Sequence, residues 1–383
     1  VLAPLAAETR FPWRPEFRDR GREIGRLLNG AHSETALGPE LLADGLAGVR
    51  RMIEGIELWR AHPHRRRLPE PPVLARFGDT RLLDYGRGSG VPLLVVPSLV
   101  NPAYVLDISR ERSLLRYLAR QGVRPVLIDW GEPDRESRQF DLGDYVERRI
   151  LPALDLLRDR AGCAPMLLGY CLGGTLSVAA GCRAPELVSR LALIGAPWDF
   201  AAAGGLTAAV LRTTGGMERR RLAHVIEMAG TVFGAVPALW VQEIFAQRDP
   251  LQAARKFRDF AGREMDSDGA RLFVATEDWL NDGAALAAPA ARELLIDFQL
   301  DNVTARGRWS PGGTRADPAR VAAPTFIAAA RRDRITPPGA ALPLARAIPG
   351  AQLLEPDAGH VGMILGSRAE RELWFPLARF LLD

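Results

Sequence analysis

The residues best suited to chemistry sit in "LLGYCLGGTLSVAAG", Leu167 to Gly181. A short apolar run ends there in Gly169-Tyr170-Cys171-Leu172-Gly173-Gly174 and continues as small and apolar residues at helical spacing. With serine in place of Cys171 this would be the Gly-x-Ser-x-Gly turn that lifts a nucleophile clear of a sheet. The thiolate is the reactive form of cysteine, and a helix N-terminus beside an imidazole favours it. Gly169 and Gly173 are expected to permit the tight turn, and Gly174 to let the helix lie close to the sheet. The backbone N–H of Leu172 is then one oxyanion donor, with a second from "PSLVN", at Leu99 or Val100.

A nucleophile on such a turn needs a base and an acid, in the chain order nucleophile, acid, histidine. The chain has five histidines, at 32, 62, 64, 224 and 360, and two of them follow Cys171. His224 lies in the Arg-rich amphipathic stretch "RRRLAHVIEMAG" and reads as a surface or packing residue. His360 stands in "EPDAGHVGM", between Gly359 and Gly362, at the expected end of the last strand. Asp333, in "FIAAARRDRITPP", closes the strand before it, with Asp199 in reserve. Singly, Cys171, Asp333 and His360 have bland readings as a small buried hydrophobe, a turn former and a loop histidine. Together they occur in the right order at the ends of the right strands, which reads as a triad. Cys163 and Cys182 read as structural.

The elements that must position these groups follow from the pattern. "VLARFGDTRLLDY" is a hairpin about Gly78-Asp79. Short apolar runs at 92–100, 124–130, 165–170 and 191–200 then alternate with helical runs, which specifies βαβ units and a mostly parallel sheet with helices on both faces. Residues 201–320 are helical and broken by Gly and Pro at "TTGGME", "GAVPA" and "NDGAALAAPA", and strand-like runs return at 324–333 and 351–360. The expected organisation is a helical N-terminal segment 1–70, an α/β core at 71–200 and 321–383, and a helical cap at 201–320. That cap, inserted between strands 6 and 7, reads as mobile. No internal repeat is visible.

Composition narrows the function classes. The 383 residues are 47% hydrophobic and 25% charged, an ordinary globular balance with ample core. Net charge is +4, and Lys256 is the single lysine among the basic residues, so arginine-biased usage rather than a nucleic-acid surface is indicated. The basic knot His62-Pro-His-Arg-Arg-Arg67 reads as a solvated linker, with an acidic partner or a substrate's phosphates as the other reading. No apolar run is long enough for a transmembrane helix, and the opening "VLAPLAAETRFPWRPEF" does not look like a secretory signal. Three cysteines without ligand spacing suit free thiols in a reducing cytoplasm. No metal and no cofactor is expected.

Over roughly residues 73–383 the sequence resembles the polyhydroxyalkanoate synthases, an α/β-hydrolase-fold family whose box is Gly-x-Cys-x-Gly-Gly. "VVPSLVNPAYVLDI", "SLLRYLARQGVRPVLIDWGEP", "GAPWDF" and "EDWLNDGAALAAPAARELLIDFQLDN" carry the likeness beyond the box, and the length is similar to the short synthases that work with a second, non-catalytic subunit. The resemblance implies that Cys171 accepts the acyl group, His360 is its base, and Asp333 helps activate the incoming hydroxyl. It implies (R)-3-hydroxyacyl-CoA and a growing polyester chain as substrates, a second synthase subunit and a homodimer as partners, and a cytoplasmic site at polyester granules. The family commonly has His after the acid, where this chain has Arg334. A thiol attacking an acyl-CoA exchanges one thioester for another, so the acyl group stays activated for transfer to an alcohol. The rival readings are a cysteine hydrolase (thioesterase, esterase or polyester depolymerase) and a non-catalytic granule scaffold.

Overall fold

The computed structural model describes residues 38–86, 90–249 and 251–383; the opening stretch, His32 and the first half of the expected N-terminal segment lie outside it. The chain divides into two units, residues 1–63 with 251–271, and residues 64–250 with 272–383. In the first, helix Gly38–Ala61 packs on helix Gln252–Ala261, with the Trp59 and Phe257 rings 5.6 Å apart. Gly55 makes this approach close: a Cβ there would lie 2.0 Å from the Phe257 carbonyl oxygen. His62 Nε2 meets the Met265 carbonyl at 3.0 Å. This division differs from the boundaries expected at 70, 200 and 320. Part of the insertion groups with the N-terminal helix because Phe257 and Phe260 bury their rings there.

The second unit is built on an eight-stranded sheet. Its strands are β1 (Val73–Phe77), β2 (Thr80–Asp84), β3 (Val91–Val96), β4 (Val123–Asp129), β5 (Met166–Tyr170), β6 (Leu191–Ile194), β7 (Thr325–Ala328) and β8 (Gln352–Leu354), in the order 1-2-4-3-5-6-7-8. The expected hairpin is present, with Phe77 opposite Thr80 and Gly78 at φ 60°. β2 pairs antiparallel with β4, and every later pairing is parallel. Strands covered on both faces read as continuous apolar runs, as in "PLLVV" and "LALI". Period-two alternation then sends Leu94, Val96, Leu167 and Leu193 into one core with helices Leu151–Ala161 and Leu172–Arg183. Leu93, Val95, Leu168, Tyr170 and Ile194 enter the other, with helices Leu114–Arg120 and Phe375–Leu382.

Four strands are shorter than expected. β3 stops at Val96 rather than 100, β6 at Ile194 rather than 200, β7 at Ala328 rather than 333, and β8 at Leu354 rather than 360. Gly195 turns away at φ 57°, and beyond β7 the amides of Arg331 and Arg332 bond to the carbonyls of Pro356 and Ala358. The sheet thus gives way to two paired loops, which carry Asp333 and His360. Between β6 and β7 the chain is helical, with breaks where expected: Gly215, Gly216 and Gly234 all have positive φ at helix ends. The basic knot is partly structural, since Arg66 binds Asp107 at 3.2 Å and lies over the Tyr104 ring. No helix among the described residues is long and apolar enough to cross a membrane.

Glu293 ties the insertion to the core. Its carboxylate accepts the Leu142 N–H and the Trp309 indole N–H, each at 2.7 Å. Burial, then the neighbouring Asp141, push its pKa up from 4.5 to about 7. The folded state therefore holds this proton more tightly than the unfolded chain, so the contribution is complete below pH 4.5 and is lost as pH rises through 7. Glu293→Gln should flatten that loss, gaining on the order of 2 kcal/mol over the parent at pH 8 relative to pH 4. Urea unfolding at the two pH values measures it.

Candidate active site

Cys171 follows β5 directly and precedes helix Leu172–Arg183. Its amide bonds the Ile194 carbonyl at 2.9 Å and its carbonyl takes the Gly174 amide at 2.8 Å. Between these anchors its backbone sits at φ 55°, ψ −129°, a conformation that costs of order 1–3 kcal/mol in a residue with a side chain. The expectation that Gly169 and Gly173 supply the turn is corrected: neither has positive φ, and the strained residue is the cysteine. The glycines supply proximity instead. A Cβ on Gly173 would lie 2.2 Å from the Val96 carbonyl oxygen, and one on Gly174 2.4 Å from the Ala196 side chain.

This closeness seats the helix N-terminus beside the loop after β3, which the Trp130 indole holds by its bond to the Pro97 carbonyl at 3.2 Å. The Leu172 N–H, first of the helix, has no partner among the described residues. The Val100 N–H is engaged by Ser98 Oγ at 3.3 Å, which leaves the Leu99 amide as the less committed of the two candidate donors in that loop.

Asp333 and His360 meet over this turn. Asp333 Oδ2 lies 2.7 Å from His360 Nδ1, and Oδ1 accepts the amides of Ile335 and Thr336, each at 2.8 Å. Three donors on one buried carboxylate fix its orientation and, through it, that of the imidazole. The His360 ring also stacks on Tyr170, with centroids 5.1 Å apart. Burial alone would lower its pKa, but the Asp333 charge, then Cys171, override that and raise it well above 6.5. An imidazole backed in this way by the Asp333 carboxylate, with Cys171 beside it, can draw the proton from the thiol.

The other candidates fall elsewhere. Asp199 accepts from the Ala201 amide and from Asn302 Nδ2, and has no bond to His360. His224 is exposed on helix Arg219–Phe233. Cys163 is exposed, while Cys182 is buried, donates to the Asp317 carbonyl at 3.1 Å, and has its thiol pKa raised by that burial. Arg334 pairs with Asp249 at 3.2 Å.

Cys171 opens onto a largely apolar pocket walled by Phe200, Val210, Val241 and Leu294, with Ser98, Thr336 and Gln299 as its polar members. Those polar residues escaped the sequence reading because no spacing ties them to Cys171. Tyr170 escaped as a stacking partner, and Gly195 as the residue whose bare Cα makes room for the imidazole, since a Cβ there would lie 3.0 Å from His360 Cε1. The Tyr170 hydroxyl is buried without a hydrogen-bond partner among the described residues, and burial raises its pKa.

The alpha/beta hydrolase fold family matches residues 91–367. The poly(3-hydroxyalkanoate) polymerase subunit of Haloferax mediterranei is 34% identical over 311 residues, covering 79% of this chain and 61% of that protein. Its counterpart in Haloarcula marismortui is 33% identical, covering 76% and 60%. The polymerase subunit of Allochromatium vinosum is 28% identical over 322 residues, covering 81% and 88%. The chain thus spans about three fifths of the length of the two haloarchaeal relatives and most of the third.

The Asp333–His360 pair can be tested without a substrate. Asp333→Asn keeps an acceptor for the two loop amides but removes the charge facing Nδ1, so the His360 pKa should fall toward 6.5 or below. Imidazole NMR reports that fall directly. Alkylation of Cys171 by iodoacetamide at pH 7 should slow about tenfold or more, since each unit of pKa is a factor of ten. An unchanged titration would show the pair to be uncoupled.

Proposed function

The chain belongs to the alpha/beta hydrolase fold family, and from that premise we propose that it is an acyltransferase that polymerises (R)-3-hydroxyacyl-CoA into polyhydroxyalkanoate. CoA is released and the acyl group is carried as a thioester on Cys171. The observation that carries this reading is a cysteine, rather than a serine, on the strained turn beside a buried His–Asp pair, in a chain whose sequence relatives are poly(3-hydroxyalkanoate) polymerases.

In this reading His360 takes the Cys171 proton and the sulfur attacks the thioester carbonyl. The tetrahedral oxyanion is met by the Leu172 N–H and an N–H of the loop after β3. Collapse expels the CoA thiolate, which leaves with the proton from His360, and one thioester has replaced another. For elongation the hydroxyl of a second hydroxyacyl group loses its proton to His360 and attacks the carbonyl held by sulfur. An ester forms and the thiol is restored. Both Asp333 oxygens are engaged, so Asp333 acts through His360 by orienting the ring and holding its positive charge. The steps use no cofactor. The likeness to proteins named as polymerase subunits supports a second synthase subunit as partner; a homodimer and a cytoplasmic place at the surface of polyester granules belong to the same proposal.

Cys171→Ala should abolish CoA release, by about 10⁴-fold or more on the scale of triad knockouts. Cys171→Ser should fold and turn over very slowly. Product analysis with 3-hydroxybutyryl-CoA separates polymer from free acid, and free acid alone would replace this reading with a thioesterase.

If residues 201–320 part to admit CoA, hydrogen exchange across them should slow when a non-hydrolysable hydroxyacyl-CoA analogue binds. Protection equal to that of the central strands in both states would make the insertion a rigid subdomain.

A further inference from the structure

An acyl group on Cys171 enters a pocket that is hydrocarbon over most of its wall. Gln299 interrupts that wall. It follows the π-helical turn Glu293–Phe298, is 6% exposed, and lines the same pocket as Cys171. Its amide oxygen is 3.1 Å from Thr207 Oγ1, but that hydroxyl has one proton and a closer acceptor in the Phe200 carbonyl at 2.7 Å. The amide nitrogen has no partner among the described residues. Exchanging the two ends of the amide leaves the outcome the same, with one end free.

The backbone beneath this amide is braced. Thr207 Oγ1 also lies 3.0 Å from the Gln299 carbonyl, and the Gln299 amide bonds the Leu294 carbonyl at 3.1 Å. Asn302, at φ 51°, holds the neighbouring wall by accepting the Phe200 N–H at 2.9 Å. A side chain presented from such a wall offers a fixed polar contact at little entropic cost.

A hydroxyacyl group has two polar sites. The thioester carbonyl is met by the backbone amides at the turn. The oxygen on C3 must be stripped of water as the group enters the apolar pocket, which is costly without a replacement hydrogen bond. We propose that Gln299 supplies that bond, and is the residue by which the site selects acyl groups with an oxygen on C3 over plain acyl groups. This assignment rests on the acyltransferase reading above.

The test is single-turnover acylation of Cys171 by 3-hydroxybutyryl-CoA and by butyryl-CoA, quenched and read by mass spectrometry, in the parent, Gln299→Leu and Gln299→Asn. Thermal unfolding of each variant checks the fold, and the shorter amide serves if the leucine variant does not fold. The parent should favour the hydroxyacyl thioester by at least about tenfold, the scale of one hydrogen bond in a buried site. Gln299→Leu should lose most of that preference while its rate with butyryl-CoA stays within about threefold of the parent. An unchanged ratio in the variants, or no preference in the parent, overturns the assignment while leaving the acyltransferase reading in place. Absence of any acyl group on Cys171 with either thioester overturns both.

Discussion

The site depends on holding one non-glycine residue, Cys171, at φ 55° between a strand and a helix. No local preference keeps it there. The conformation persists because the Cys171 amide completes the ladder to β6 while the helix that follows is pressed against the loop after β3. That pressure is possible only with hydrogen at the Cβ positions of Gly173 and Gly174. A methyl at Gly173 would overlap the Val96 and Pro97 carbonyls and move the helix N-terminus away from the place where an oxyanion would form. Strain at the candidate nucleophile and proximity of the candidate donors are two results of one close approach.

The second constraint is electrostatic. A buried imidazole loses its proton readily unless a charge compensates, and Asp333 supplies that charge at 2.7 Å. Asp333 is itself buried, and stays in place because two loop amides and the imidazole occupy its oxygens. The loops after β7 and β8 provide this geometry by pairing with each other beyond the ends of their strands. Short strands are thus a requirement of the site: a β7 that continued to 333 would send the carboxylate along the sheet instead of into the loop.

Much of this was legible in the sequence. The chain order of Cys171, Asp333 and His360, the apolar runs that precede them, the hairpin at Gly78 and the helical stretch between strands 6 and 7 all follow from local pattern. Such features depend on residues close in sequence or on period-two and helical spacing, which a linear reading detects. The reach of the strands was overestimated, because "GAPW" after β6 and Ala329-Ala330 after β7 stay apolar once the ladder has ended. Their end is decided by what pairs with the backbone, and pairing is not a local property.

By itself the sequence determined the candidate nucleophile, its histidine by elimination, and the architecture able to join them, because few histidines and a distinctive box leave few arrangements. Only the tertiary structure decided that Asp333 rather than Asp199 meets His360, since Asp199 is taken up by Asn302, 103 residues further along the chain. It alone moved the strain from the glycines to Cys171, stacked Tyr170 on His360, and placed Ser98, Thr336 and Gln299 around one pocket. The physical reason is the same in each case. These contacts join residues whose separation along the chain carries no period and no motif, and they are fixed by the packing of distant elements against one sheet.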